Sequence, residues 1–293
     1  MVGWLIYSQA DVEKNKYYIR FYLEEGKKRN MDICLVLSED LKAGIKGNRW
    51  FITVKDEKVP YPDFAVCRTI YPLLNKQLEA LGIPVFNNSM VAEICNNKAK
   101  TYQYVAQLNI PMIDTEFCKY SQLENRLSAI TEPTVVKAVA GHGGSQVFLL
   151  NPGQSTDVER HKKHIIENMK GADAVLQPLT GSRHQDLRVY VIGKEIIGCV
   201  LRTARQGFKS NYSLGGEVRT YSLSPEETKL AEKIINLFDF GLVGIDFLIG
   251  NQGELIFNEI EDVVGARMLY QCTDINLVGL YLDYIKNRVK GLL

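Results

Sequence analysis

The stretch GLVGIDFLIGNQGELIFNEIE, residues 241–261, constrains the fold of this chain more than any other. Two apolar runs of strand length flank Gly250-Asn251-Gln252-Gly253, which reads as a hairpin turn. If Ile249 faces Glu254, Asp246 pairs with Phe257, and side chains two apart share a face. Asp246, Phe257, Glu259 and Glu261 are then predicted to point the same way, with Asp246 and Glu259 diagonal neighbours within about 8 Å. Three carboxylates on one face of a core-like sheet repel one another unless positive charge lies between them. Hard oxygen ligands on a rigid scaffold suit Mg²⁺, completed by substrate phosphates and water. The competing account is a solvent-facing edge that happens to carry acids, and the apolar flanks speak against it.

Strand and helix signals alternate over the first 86 residues: GWLIYS, an amphipathic helix over 11–29, DICLVLS, an extended or hairpin stretch RWFITVKDEKVPYP, DFAVCR, a helix over 73–81, and IPVFN. Strands separated by helices predict a parallel sheet. From Asn87 the pattern changes to one helical stretch, SMVAEICNNKAKTYQYVAQLNIP, then a short strand and a helix near 121–130. Two strands follow, TVVKAVA and SQVFLL, with a charged helix over roughly 156–169. From Ala174 the chain reads mostly as strands: AVLQPL, LRVYVIG, KEIIGCVLRTA and the hairpin above. One helix interrupts them, SPEETKLAEKIINLF, with Ser224 as N-cap, Pro225 at its first position and Glu227 completing a capping box. A last helix covers 276–289. The expected fold class is α/β and α+β, with an α/β domain over 1–86 and two α+β lobes over 87–173 and 174–293.

Lys plus Arg number 35 and Asp plus Glu 34, so no broad nucleic-acid-binding face is indicated. The apolar runs are too short to span a bilayer, and the N-terminus reads as a buried strand without the basic start of a signal peptide. Six cysteines contain no C-x-x-C pair and mostly lie in apolar runs, which predicts buried, reduced thiols in a cytoplasmic protein. His161 and His164 lie three apart among charged residues, a pattern of solvated helix surface more than of a metal site.

VVKAVAGHGGSQVFLL places Gly141, Gly143, Gly144 and Ser145 between two strands. Glycines let backbone N–H groups approach a phosphate closely, although a plain hairpin carries the same letters. The loop is neither a Walker A loop nor a Rossmann fingerprint, because no helix or G-K-[ST] follows. Lys137 sits in an apolar strand and needs a partner, which a nucleotide phosphate or an acid elsewhere in the chain would supply. Lys98 by itself reads as a helix-surface lysine.

The order of these parts is recognisable: Asn97-Lys98 in a helix, V-V-K with a glycine-rich hairpin, V-L-Q, D-x-R, S-N, V-G-I-D and N-E-x-E. Over nearly the whole chain it resembles the ATP-grasp superfamily, and within it the RimK-like carboxylate–amine ligases of the alpha-L-glutamate ligase type. The resemblance implies an ATP-grasp fold behind an N-terminal α/β (pre-ATP-grasp) domain. It implies ATP and Mg²⁺ (or Mn²⁺) as cofactors. Lys98 and Lys137 would contact the ATP phosphates, and the Gly141–Ser145 loop would close over them. Gln177, Pro178 and Leu179 would form the hinge whose backbone reads adenine, with Asp186 in the same nucleotide site. Asp246 and Glu259 would hold the metal. Arg188 and Asn211 would face the reacting phosphate or carboxylate, and Arg202 would help bind an anionic substrate. Two departures stand out. Pro178 replaces the usual glutamate after the hinge Gln, removing one N–H and leaving that of Leu179. Glu261 replaces the usual asparagine; it can still ligate Mg²⁺ and adds negative charge, while the altered turn before Arg267 suggests a changed acceptor pocket.

The implied reaction is amide formation through an acylphosphate, adding an amino acid such as glutamate to a small molecule, peptide or protein. Its partners are a small-molecule or peptide carboxylate and an amine acceptor, with no nucleic acid and no membrane. A dimer or tetramer is the expected assembly. Arg183, Arg188, Arg202, Arg205, Lys209, Arg219 and Arg267, concentrated in the second half, suit ATP plus an acidic substrate. Taken singly, Arg183, Arg205 and Arg219 read equally well as solvated surface. Three alternatives stand beside it: a kinase of the same fold, a peptide-modifying enzyme acting on a genetically encoded precursor, and a non-catalytic ATP-binding protein.

Overall fold

The structure, a computed structural model, describes residues 1–144, 146–153, 157–181, 185–203 and 217–291. Ser145 and Asn211, together with Arg183, Arg205 and Lys209, lie outside the described residues.

The N-terminal unit is a parallel sheet in the order β2-β1-β5-β6. Its strands are β1 (Val2–Tyr7), β2 (Asp32–Leu37), β5 (Phe64–Cys67) and β6 (Val85–Phe86). Helices α1 (Gln9–Lys28) and α2 (Pro72–Ala80) make the crossovers. All four residues of β5 are buried, as expected of a parallel strand covered on both faces. The stretch read as extended or a hairpin begins with the second arm of a hairpin, β3 (Leu41–Lys46) with β4 (Arg49–Val54). The turn is Gly47-Asn48, both at positive φ (56° and 58°), the backbone that two-residue hairpin turns need.

The single helix expected after Asn87 is broken into α3 (Ser89–Cys95) and α4 (Lys98–Ala106). Asn97 causes the break: its side chain accepts from the Lys100 N–H at 3.0 Å, an N-cap in mid-stretch. Both helices pack on the C-terminal sheet, where Val91, Ile94, Tyr102 and Val105 join its core. The middle sheet is β7 (Glu116–Cys118), β10 (Ala174–Pro178), β8 (Thr134–Ala138) and β9 (Val147–Leu150), in that order, backed by α5 (Tyr120–Ser128) and α6 (Val158–Met169). Strand β10 is hydrogen-bonded between β7 and β8. Residues 174–178, read in the sequence as the first strand of the third unit, are thus hydrogen-bonded into the middle sheet.

The C-terminal sheet is antiparallel in the order β13-β12-β11-β14-β15. It comprises β11 (Gln185–Ile192), β12 (Glu195–Thr203), β13 (Glu217–Thr220), β14 (Leu242–Ile249) and β15 (Leu255–Glu261). Strand β13 and the short α8 (Arg267–Cys272) carried no clear sequence signal. Helix α7 (Pro225–Ile235) starts at Ser224 with the expected capping box. Helix α9 (Leu277–Lys290) returns to pack against α1, so the first and last helices share one core.

Asn87 joins the N-terminal unit to the C-terminal sheet. Its Oδ1 accepts from the N–H groups of Gly241 and Leu242 at 2.6 and 3.0 Å. Its Nδ2 donates to the Leu242 carbonyl and to Asp262, whose carboxylate also accepts from Asn96 at 2.9 Å. Burial raises the Asp262 carboxyl above its ordinary value, against the pull of those two amides. The third acid of the FNEIED stretch is thus a buried junction between units, facing away from its two neighbours.

Candidate active site

Hairpin β14–β15 holds a different register from the one read in the sequence. Ile249 faces Leu255, Phe247 faces Phe257, and a bulge between Asp246 and Phe247 then sets Asp246 directly opposite Glu259. Phe247 and Phe257 pack edge to face in the core with ring centroids 6.3 Å apart. Phe257 therefore lies on the face opposite the acids. The bulge absorbs one extra residue, Asn258, and lets Asn258, Glu259 and Glu261 all line one cleft.

Across the sheet the register builds a row: Arg188 opposite Asp246, Asp246 opposite Glu259. One step toward the middle sheet, Arg202 sits opposite Asp186; one step away, Tyr190 faces Gly244 and Gly244 faces Glu261. The intervening Leu187, Val189, Ile245 and Phe247 all enter the core on the other face. Period-two alternation alone thus collects the charged groups on one side. A Cβ on Gly244 would come within 2.8 Å of Val264 and 3.2 Å of the Arg188 side chain. The glycine of V-G-I-D makes room for Arg188 to lie across the sheet.

The charges are tightly paired. Arg188 grips Asp246 through Nε and Nη2, each at 2.7 Å, and its Nη1 meets Glu261. Arg202 reaches the same Asp246 Oδ2 at 2.7 Å and also pairs with Asp186. Asp246 is 1 % exposed. Burial pushes its carboxyl up, but Arg188 and Arg202 more than offset that and hold it at about 2. Glu261 keeps 40 % of its side chain open to solvent, yet its Oε2 is dry. Desolvation, with Asp246 and Glu259 adding to it against Arg188, pushes its carboxyl above the ordinary value.

The opposite wall comes from the middle sheet and α4. The break at Asn97 puts Lys98 at the first position of α4, where its N–H donates to the Val139 carbonyl at 2.9 Å. Its Nζ donates to the Gly141 carbonyl at 2.6 Å and stands 3.4 Å from Glu259. Lys98 is only 13 % exposed and belongs to the cleft, not to the helix surface. Lys137 donates to Asn258 Oδ1 at 3.0 Å. Burial lowers it from 10.5 to about 8, with Glu259 opposing and Lys98 assisting. Gly143 and Gly144 stand at φ +61° and +75° in the loop above, the left-handed region that favours glycine. Burial also lowers His142 in the same loop.

Gln177, Pro178 and Leu179 line the cleft where the middle and C-terminal sheets meet. The Leu179 N–H is engaged: it donates to the Pro133 carbonyl at 2.9 Å, extending the β8–β10 ladder past Pro178. Adenine recognition through that N–H requires Pro133 to release it. Of the remaining basic residues, Arg219 and Arg267 are exposed. Asn258 was missed in the sequence. Its signal was the N-E-x-E stretch itself, where an unbroken register buries the asparagine and a bulge turns it to the cleft.

The donor chemistry fits Mg²⁺. Among the described residues no three His, Cys, Asp or Glu side chains form a metal cage by themselves. Mg²⁺ needs only one or two carboxylates beside substrate phosphates, and Glu259 and Glu261 stand at the cleft beside the two lysines. Both oxygens of Asp246 are held by arginines, so ligation by Asp246 requires an arginine to yield one.

Residues 95–285 match the RimK-like ATP-grasp domain. A probable alpha-L-glutamate ligase of Legionella pneumophila is 28 % identical over 223 residues, 74 % of this chain and 72 % of that protein. Beta-citrylglutamate synthase B of Homo sapiens is 28 % identical over 274 residues, 87 % of this chain and 67 % of that protein. Among solved structures, a RimK domain ATP-grasp protein from Sphaerobacter thermophilus superposes with TM-score 0.69 at 17 % identity, covering 97 % of this chain and 99 % of that one.

Proposed function

Because this chain belongs to the RimK-like ATP-grasp family, we propose that it joins the carboxylate of one substrate to the amine of an amino acid such as glutamate, at the expense of ATP. It is an ATP-dependent ligase of the carboxylate–amine class with an ATP-grasp fold. The observation that carries the specific reading is the cleft itself, with Lys98 and Lys137 on one wall and Arg188, Glu259 and Glu261 on the other.

In this reading a substrate carboxylate oxygen attacks the γ-phosphorus and ADP leaves. The amine nitrogen then attacks the acyl carbon, phosphate departs with the oxygen, and the nitrogen gives up a proton. Lys98 and Lys137 take phosphate oxygens, Lys98 exchanging its pair with Glu259 for one with the nucleotide. Glu259 and Glu261 would hold Mg²⁺, which supplies charge neutralisation at the phosphates when bound. Arg188, already fixed by Asp246, offers a preorganised cation that costs no reorganisation at the moment of reaction. No enzyme nucleophile is required; positioning and charge do the catalysis. The cytoplasm suits the six unpaired cysteines. Among the described residues no helix is long and apolar enough to cross a membrane.

The direct test is ADP release from Mg²⁺-ATP against amino acids, dicarboxylates and short acidic peptides, with products weighed for loss of water between two panel members. An amide product is expected; ADP without condensation would move the reading to a kinase.

A pH effect follows from Lys137. Its free-state value of about 8 means that a phosphate, which needs the charged amine, must recharge it above that pH. ATP affinity is expected to be flat below pH 8 and to weaken above it, approaching about tenfold per unit. Lys137→Met should bind ATP more weakly and lose this inflection; an inflection unchanged in that variant would assign it elsewhere. For the free protein the sign is opposite. The unfolded chain holds more protons at this lysine between about 8 and 10.5, so stability rises with pH across that window.

A further inference from the structure

A second polar cluster lies in the N-terminal unit. Tyr7 ends β1, and Arg68 follows the last residue of β5, its parallel neighbour, where Ile6 is paired with Cys67. The chain passes from β1 outward to β2 on one side and returns to β5 and β6 on the other, so the strand order reverses between β1 and β5. Ligands of open parallel sheets bind beyond the carboxyl ends of the strands at such a reversal.

Arg68 is 8 % exposed. Its Nη2 donates to the Val264 carbonyl at 2.9 Å, and its guanidinium lies 5.4 Å from the centre of the Tyr18 ring. Its Nε has no hydrogen-bond partner, and it enters no ion pair among the described residues. The hydroxyls of Tyr7, Tyr18 and Tyr22 are buried without partners as well. The Tyr7 hydroxyl lies against the Arg68 guanidinium, and the Tyr18 hydroxyl against that of Tyr22. A buried cation in no direct ion pair, with the Asp262 carboxylate acting on it only at a distance, is costly in a finished core. Side chains that only braced two units together would be paired or apolar. Val264, whose carbonyl accepts from Arg68, lies three residues beyond the cleft residue Glu261 in sequence. Tyr190, opposite Gly244 in the sheet, donates to the next carbonyl, that of Gly265, at 3.0 Å.

We propose that Arg68, with Tyr7, Tyr18 and Tyr22, forms an anion subsite that takes the second carboxylate of a dicarboxylic amino-acid substrate. The guanidinium supplies the counter-charge and the hydroxyls supply donors. The substrate is thereby seated between the N-terminal sheet and the turn after Glu261. The substrate's identity rests on the ligase reading; the presence of a carboxylate site does not.

The test titrates L-glutamate, L-glutamine and inorganic phosphate into the full chain and its Arg68→Lys, Tyr7→Phe and Tyr22→Phe variants, with ATP affinity measured on each. The wild type is expected to bind glutamate in preference to glutamine. Arg68→Lys should weaken glutamate by about tenfold, the loss of bidentate charge-assisted bonding, and erase that preference. The tyrosine variants, which remove one hydroxyl each and keep the ring, should weaken glutamate by several-fold. ATP affinity should hold in all of them. Glutamate binding that is absent from the wild type, is unchanged in the variants or is outcompeted by phosphate would overturn the proposal. Should Arg68→Lys lose ATP binding too, it has misfolded, and the tyrosine variants decide. Failure of the ligase reading shows elsewhere, as no ADP and no amide from a wild type that still binds glutamate.

Discussion

Asp246→Asn is expected to cost about 3–5 kcal/mol of stability, the range for breaking a buried ion pair by removing one partner. Asp246 is the shared anion of Arg188 and Arg202, both almost fully buried. The amide keeps one acceptor oxygen and the shape of the side chain, but it removes one of the three carboxylates that meet the two guanidinium groups, and the one that both share. Asp186 still pairs with Arg202 and Glu261 with Arg188, which keeps the effect short of complete unfolding. A fall of roughly ten degrees in the unfolding midpoint should accompany the substitution. Unchanged stability would mean that Asp246 is not the counter-ion that holds this sheet together.

Glu259→Gln should have the opposite profile. Its side chain is 36 % exposed and its pair with Lys98 is long, 3.4 Å, the kind of contact worth about 0–1 kcal/mol. Stability should therefore stay within about 1 kcal/mol of wild type. Turnover should fall by at least about 10²-fold, the scale of losing one group that stabilises transition-state charge. Steady-state ADP release at saturating Mg²⁺-ATP, with the product weighed, measures it. Full activity in this variant would remove Glu259 from the metal site. Set side by side, the two variants separate an acid that organises the sheet from an acid proposed to face the nucleotide, though both lie in one row and were indistinguishable in the sequence.

Much of the fold was legible because local chemistry and tertiary packing agreed. The capping box at Ser224 and the buried parallel strands are short-range patterns. Errors fell where one residue changes the geometry. Asn97 split a helix by capping it, Asn258 shifted a register by bulging it, and the ladder continuing past Pro178 placed β10 in the middle sheet and engaged the Leu179 N–H. None of these alters hydrophobic periodicity, so none could be seen from it.

The chain's own letters determined which residues carry charge on strands and which loops can admit a phosphate. Residue identity and period settle those through side-chain alternation and glycine's access to positive φ. Only the tertiary structure decided what those charges meet. The order β12-β11-β14-β15 brings Arg202 and Arg188 to Asp246 from strands far apart in sequence. The reversal between β1 and β5 sets Arg68 beside three tyrosines, with the Asp262 carboxylate near enough to act on it but not in a direct ion pair. Electrostatic partnership depends on distance and burial, and both are properties of strand order and packing that no local pattern encodes.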